Sequence, residues 1–322
     1  MVPYPLSEIK TGYLIGGLKV VEVYPEGRGG MARVVRAAHR TGSERDVALK
    51  ISRIGPNQNY FFSAIQKEVE VLQKLDHRGV VRLARISDGK NPFKQRAVEI
   101  VGSPWFFGME CLRGGSLEAY IRNVGPLPLN EAAAICYRVG QALNYIHHEG
   151  FAHNDVKPDN ILFRRPLEPG EVIEPVLIDF GVAAKLVKPQ VDGSVVYMAP
   201  ERLQEARDPS APEKGGAAET AKGDVWSIGI LLYRLLVGRE PFAGMTDRSI
   251  TSAIQRAMPV PIARQRSDIP QDLDEFVVEG CLAKDPRVRV SMARFVGYIQ
   301  RYAGDLHVRR GLKARRVLPW QK

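Results

Sequence analysis

The chain is 322 residues long, 44% hydrophobic and 25% charged, the composition of a globular protein with room for two compact lobes or one large domain. No run of about 18 apolar residues is present, which argues against a membrane span, and Met1–Lys10 lacks the basic-then-apolar layout of a secretory signal. The net charge of +10 leaves nucleic acid, anionic membranes and acidic substrates open as partners.

In chain order, residues 1–17 are punctuated by Pro and Gly and are expected to lie loosely on the body. Leu18–Tyr24, Val34–Ala38 and Val47–Ile51 carry the β-branched content of strands, and a Gly cluster follows the first of them. A helix is predicted from about Tyr60 to Leu75, because Phe61, Ile65, Val69, Leu72 and Leu75 recur at spacings of 4, 4, 3 and 3 and share one face. Two further strands are expected before Glu110, with Ser87–Phe93 as a turn-rich loop between them. Beyond residue 111 the pattern turns helical, over Leu129–Glu149, Gly223–Val237, Gln271–Ala283 and Ser291–Tyr302. Val225–Val237 is the most apolar stretch and reads as a buried helix; Arg207–Gly223 reads as a flexible insertion. Cys111, Cys136 and Cys281 are sparse, odd in number and far apart, which points to a reducing, cytoplasmic setting rather than a disulfide framework or zinc site.

The chemistry-bearing residues begin in the Gly cluster. Gly27, Gly29 and Gly30 lie between two strands, where bare backbone N–H groups can approach phosphate oxygens closely. On the Val47–Ile51 strand Ala48 and Lys50 share one face, a small residue beside a cation. Glu68 falls inside the apolar stripe of the following helix, whereas Glu70 points the other way. A carboxylate in an apolar face is costly unless paired, and Lys50 is the economical partner. The run His153-Asn154-Asp155-Val156-Lys157-Pro158-Asp159-Asn160 places an acid, a lysine and an amide within six residues. Asp179 follows 24 residues after Asp155, at the end of the apolar Val176-Leu177-Ile178. Asn160 and Asp179 are thereby candidate oxygen ligands for Mg²⁺, and Asp155 is left to orient an attacking hydroxyl and accept its proton.

In kind and order these segments resemble the protein-kinase signature set, and the Gly-Gly-Met and His-x-Asp-Val-Lys-Pro-Asp-Asn runs are similar to those of bacterial eukaryotic-like Ser/Thr kinases. The resemblance covers roughly residues 18 to 303 and extends through Met198-Ala199-Pro200-Glu201, Asp224 and Arg289. It implies an α+β, bilobal kinase fold: a small antiparallel-sheet N-lobe with one helix (18–110) and a larger, mainly helical C-lobe (111–303). An N-terminal extension (1–17) and a basic C-terminal tail (304–322) would flank them. The function implied is transfer of the γ-phosphoryl group of Mg-ATP to protein Ser or Thr, with the nucleotide in the cleft and Mn²⁺ as the other metal candidate.

By that resemblance Lys50 would hold the α- and β-phosphates and Glu68 would fix Lys50, while Gly27, Gly29 and Gly30 would cover the phosphates. Val34, Ala48 and Leu162 would belong to the ATP-binding site, with Met109 as gatekeeper and Glu110 to Leu112 as the hinge that hydrogen-bonds adenine. Asp155 and Lys157 would act on the transferring group, Lys157 being the family's mark of Ser/Thr specificity. Leu72, His153 and Phe180 would belong to a hydrophobic spine, Glu201 would pair with Arg289, and Asp224 would brace the catalytic loop.

Two departures bear on regulation. The position before Asp155 is usually Arg in the family, where it holds a phosphorylated activation loop; here it is Asn154, which has no charge to offer. The segment Val182–Met198 has only Ser194 and Tyr197 as hydroxyls. Activity is therefore expected not to depend on activation-loop phosphorylation. Two rival readings are a pseudokinase or nucleotide-binding scaffold and a small-molecule phosphotransferase. The presence of Lys50, Asp155 and Asp179 argues against the first, and the Ala-Pro-Glu element against the second. The tail from Arg309 to Lys322 adds a candidate dock for nucleic acid or an acidic partner.

Overall fold

The computed structural model describes residues 3–24, 32–38, 46–168, 172–181, 195–207 and 217–304, with backbone alone for 205–207 and 217–220. Gly27, Gly29, Gly30, Ser194, residues 208–216 of the expected insertion and the basic tail lie outside the described residues. The described chain divides into two compact units, one of residues 3–76 and 81–112, the other of residues 77–80 and 113–304.

The first unit is built on a six-stranded sheet in the order β1-β2-β3-β4-β6-β5, every neighbour antiparallel. The strands are β1 (Leu14–Ile15), β2 (Leu18–Val23), β3 (Ala32–Ala38), β4 (Val47–Ser52), β5 (Lys94–Arg96) and β6 (Trp105–Glu110). Period-two alternation sorts the side chains of the central strands to two faces. Val20, Val35, Ala37, Val47, Leu49, Ile51 and Phe106 enter one apolar cluster. Val34, Ala48, Lys50, Phe107 and Met109 fall on the opposite face by register, Val34 and Phe107 across from Lys50 and Met109 across from Ala48.

The N-terminal segment departs from the sequence expectation. It is not loosely laid on: Ile9 and Ile15 are buried in the same apolar cluster, with Tyr4, Leu6 and Tyr13 packed against it. Tyr4 exchanges main-chain hydrogen bonds with Glu99 and Val101 and donates its hydroxyl to Leu14 O at 2.8 Å. The physical reason is the sheet's second face, whose apolar side chains need a cover that residues 3–15 supply.

The helix α1 (Gln58–Leu72) starts before Tyr60 and ends before Leu75, its last turn tightening into i→i−3 bonds from Lys74 and Leu75. The two strands before Glu110 are also displaced from the expectation. Both follow Ser87–Phe93, so that loop does not separate them. Residues 82–86 lie beside β6 through Ala84 N–H to Gly108 O and Glu110 N–H to Arg82 O, but make only a bridge, Leu83 with Met109.

The second unit is mainly helical. Its helices are α2 (Leu117–Val124), α3 (Leu129–His148), α4 (Pro200–Arg207), α5 (Ala217–Val237), α6 (Asp247–Arg256), α7 (Gln271–Glu275) and α8 (Met292–Ile299). A two-stranded ribbon, β7 (Ile161–Phe163) against β8 (Pro175–Leu177), completes it. α5 begins at Ala217, so the last residues of the stretch read as insertion are helical instead. Trp226, Ile228, Ile230, Leu231, Leu232, Leu235 and Leu236 bury it on all sides, the pattern of a core helix. The helix expected over Gln271–Ala283 is α7 continuing as a π-helical turn, Phe276–Cys281. Gly229 of α5 admits that turn: a Cβ there would lie 2.8 Å from Cys281 Cβ. Ser291 caps α8 by accepting from Arg294 N–H at 3.2 Å. No helix among the described residues is long and apolar enough to cross a membrane.

Candidate active site

In the first unit, β4 and α1 bring Lys50 and Glu68 together. Lys50 Nζ donates to Glu68 Oε1 at 2.9 Å and to Oε2 at 2.7 Å. Lys50 is 8% exposed and Glu68 2%, so the pair is desolvated and removing either member is costly. Ala48 and Met109 face each other across β4 and β6, both buried; Leu112 is buried and Val34 half-buried. Glu110 ends β6, and its carboxylate accepts the N–H of Arg82 at 3.1 Å.

In the second unit the loop after α3 gathers the remaining candidates. Asp155 Oδ2 accepts from Lys157 Nζ and from Asn160 Nδ2, each at 2.7 Å. Asn160 Nδ2 also donates to Asp155 O at 2.9 Å. With its nitrogen committed to Asp155, Asn160 presents its amide oxygen as the group a hard cation would meet. Asp179 is brought alongside by the ribbon: Ile161 pairs with Leu177, and Ile178 N–H donates to Asn160 O at 3.0 Å. Asp179 has φ +66°, a left-handed conformation uncommon for a side-chain-bearing residue and typical of functional turns. A carboxylate and an amide oxygen form a hard donor set, which suits Mg²⁺ or Mn²⁺ rather than a thiophilic metal. Leu162 is half-buried on β7, bridged to Ser116.

This loop is anchored from below. Asp224, fully buried in α5, accepts the N–H of His153 on Oδ2 and the N–H of Asn154 on Oδ1, both at 2.8 Å. His147 Nε2 lies 2.8 Å from the same Oδ2. Burial would raise the Asp224 carboxyl, but the hydrogen bond from His147, the charge of the neighbouring histidines and the N–H of Asn154 outweigh it and hold the group below the usual carboxylate range. His153 stacks edge-on against Phe180, ring centroids 4.8 Å apart, and its Nε2 is 3.0 Å from Ile178 O. Farther out, Arg289 grips Glu201 with two bonds of 2.7 and 2.9 Å. Tyr197 is buried, with its hydroxyl accepting from Arg234 Nη1 at 3.0 Å.

Two participants had no signal in the sequence. His147, on the last turn of α3, reaches Asp224 from 77 positions away. Arg202, on α4, donates from Nη1 to the carbonyl of Asn154 at 2.6 Å. His147 is one polar position within the helical pattern of Leu129–Glu149, and Arg202 merely follows Glu201; nothing in the sequence singles either out.

A buried Lys–Glu pair on a six-residue strand and one helix, together with an Asp-x-Lys-x-x-Asn loop clamped to a buried aspartate and joined by a ribbon to a second aspartate, is the arrangement of the protein-kinase fold. The sequence model described as the protein kinase domain matches residues 23–298, and the chain belongs to that family. It is 30% identical over 274 residues to the serine/threonine-protein kinase PrkC of Bacillus subtilis (strain 168), covering 83% of this chain and 38% of that protein. PknB of Mycobacterium leprae (strain TN) is 28% identical over 275 residues, covering 83% of this chain and 40% of that protein. Sperm motility kinase 3A of Mus musculus is 33% identical over 234 residues, covering 71% and 40%. The chain therefore spans only about 40% of the length of these curated relatives. Among solved structures, Rad53 1-466 in complex with AMP-PNP superposes with a TM-score of 0.66 at 25% identity, covering 89% of this chain and 65% of that one.

Proposed function

We propose that this protein is a Ser/Thr protein kinase that transfers the γ-phosphoryl group of ATP to a protein hydroxyl. The observation that carries the reading is the convergence of Lys157 and Asn160 on one oxygen of Asp155. With both donors on Oδ2, Oδ1 is the oxygen that would meet the acceptor hydroxyl. In the reaction the Ser or Thr oxygen forms a bond to the γ-phosphorus, the bond from that phosphorus to the β,γ-bridging oxygen breaks, ADP leaves, and Asp155 takes the hydroxyl proton. Lys157 places positive charge where the equatorial oxygens of the transferring group gain negative charge.

In the other unit Lys50, fixed by Glu68, holds the α- and β-phosphates. Val34, Ala48, Met109, Glu110 and Leu112 receive the adenine. Asn160 and Asp179 would hold Mg²⁺, which when bound neutralises charge on the nucleotide phosphates. Lys157 is what favours Ser and Thr over Tyr as acceptor.

We further propose that activity is independent of activation-loop phosphorylation. Asn154 offers no cation, and of the two hydroxyls between Val182 and Met198, Tyr197 is buried against Arg234. A large rise in activity in Ser194→Glu, or on phosphate incorporation at Ser194, would refute this. Three unpaired cysteines support a reducing, cytoplasmic setting. The basic tail is assigned to an acidic partner or nucleic acid on its charge alone, and loss of salt-dependent binding on truncation near residue 305 is its check.

The test of the activity is transfer from γ-labelled ATP to the protein itself and to a basic acceptor protein, wild type against Asp155→Ala, with sites mapped by mass spectrometry. Labelled Ser or Thr that vanishes in the variant supports the reading. Tight ATP binding with no transfer in the wild type would move it to a nucleotide-binding scaffold.

A further inference from the structure

We propose that Arg202 is a positioning residue for Asp155, acting through the carbonyl of Asn154. The inference rests on the catalytic role assigned to Asp155. It begins with the shape of the loop at the residue just before it. Asn154 has φ +66°, so the chain makes a left-handed step immediately ahead of Asp155. Asn enters that region more readily than other side-chain-bearing residues, yet the step still needs external support to persist.

That support is entirely through the main chain. The N–H of Asn154 is taken by Asp224 Oδ1 at 2.8 Å, and its carbonyl oxygen by Arg202 Nη1 at 2.6 Å. The side chain of Asn154 takes no part: its Oδ1 is buried and has no hydrogen-bond partner among the described residues. The N–H of Asp155 reaches only His153 Nδ1, at 3.3 Å, a weak tie. The carbonyl clamp is thus the firm constraint on the peptide plane that joins residues 154 and 155. A guanidinium donor makes it a charge-assisted bond, about twice as strong as a neutral one. Rotation of that plane would swing the Asp155 carboxylate away from Lys157 and Asn160.

The route of the arginine is equally specific. Arg202 directly follows Glu201, which Arg289 holds with two bonds, so the start of α4 is fixed. From there its side chain crosses Gly223 of α5, where a Cβ would lie 3.4 Å from Arg202 Cδ. A cation absent from position 154 is in this way supplied from α4, and it binds main chain rather than a phosphate. The link needs no covalent modification to form.

The experiment compares wild type, Arg202→Met, which keeps length but loses the donor, and Arg202→Lys, which keeps a donor. Two readouts are taken: steady-state kinetics with calorimetric Mg-AMP-PNP binding, and amide hydrogen exchange of a peptide spanning 151–156. The expected result is a kcat drop of about 10- to 100-fold in the Met variant with nucleotide affinity unchanged, substantial recovery in the Lys variant, and faster exchange at 154–156 in the Met variant only. Unchanged kcat and exchange in Arg202→Met would overturn the proposal, as would equal losses in both variants. A wild type that transfers no phosphate would sink the kinase reading itself; the exchange comparison would still decide whether Arg202 holds the loop.

Discussion

Glu68 closes on Lys50 with both carboxylate oxygens, at 2.7 and 2.9 Å, and both residues are buried. A buried pair of this kind adds little net stability, but removing one member leaves the other charge desolvated. Lys50→Met removes the ammonium from which both Glu68 oxygens accept and is expected to destabilise the protein by about 3 kcal/mol while abolishing transfer. Glu68→Gln keeps the shape and a hydrogen bond, so it should fold nearly normally yet bind nucleotide more weakly. Urea unfolding and calorimetric ATP titration of both variants check this, and equal stability of Lys50→Met and wild type would contradict it.

Asp224 gives a pH-dependent anchor. Its carboxyl is held below the usual carboxylate range, so the folded state binds fewer protons there than the unfolded chain. The stability it contributes is present above the unfolded value, about pH 4, and is lost as pH falls through the lower folded value. Asp224→Asn should remove that acid-limb dependence and lower stability at pH 7 by about 2–4 kcal/mol, since two main-chain N–H groups and His147 lose an ionised acceptor. Thermal unfolding of both proteins from about pH 3 to about pH 7, which spans the ordinary carboxylate range, measures it.

Lys284 predicts the opposite limb. Burial, and then the charge of Arg289, push it down to about 8 from 10.5, while Nζ donates to Ile254 O at 2.6 Å and lies over the Phe242 ring. Between those values the unfolded chain carries a proton that the folded one lacks, so stability rises with pH through the window. Relative to Lys284→Met, the wild type should gain about 1–2 kcal/mol across it, after allowance for solvent screening. A flat difference would show that the ring contacts keep the ammonium charged.

The N-terminal cover is a stability element. Ile15 is fully buried between the sheet's apolar face and its neighbours, and Ile9 nearly so. Ile15→Ala should cost about 2–4 kcal/mol, the usual range for a large-to-small change in a core. Deletion of residues 1–16 should expose the cluster around Val35 and Leu49, seen as dye binding and a lowered Tm. An unchanged Tm on deletion would restore the picture of a loosely attached extension.

Much of the candidate site was legible before any fold was known, because its chemistry is written in short local runs. Ala48 with Lys50, the acid-lysine-amide run from Asp155 to Asn160, and Asp179 at a strand end each follow from a spacing of a few residues. Glu68 was legible for a different reason: helical periodicity puts it in an apolar stripe, where a carboxylate demands a partner. The order of these elements also fixed the kind of fold, a strand-rich part ahead of a helical one.

Tertiary structure alone decided the rest. The fate of residues 3–15 depended on an apolar sheet face that forms only when β2, β3 and β4 pair in register. Strand positions before Glu110 depended on which segment β6 accepted as its neighbour. The supports of the loop that carries Asp155 come from 77 positions away at His147, 70 at Asp224 for Asn154, and 48 at Arg202. Periodicity and propensity act over a few residues, so they register the groups that do chemistry in local runs. Contacts closed across tens of residues leave no such trace, and only the folded chain brings Arg202 to the carbonyl that precedes Asp155.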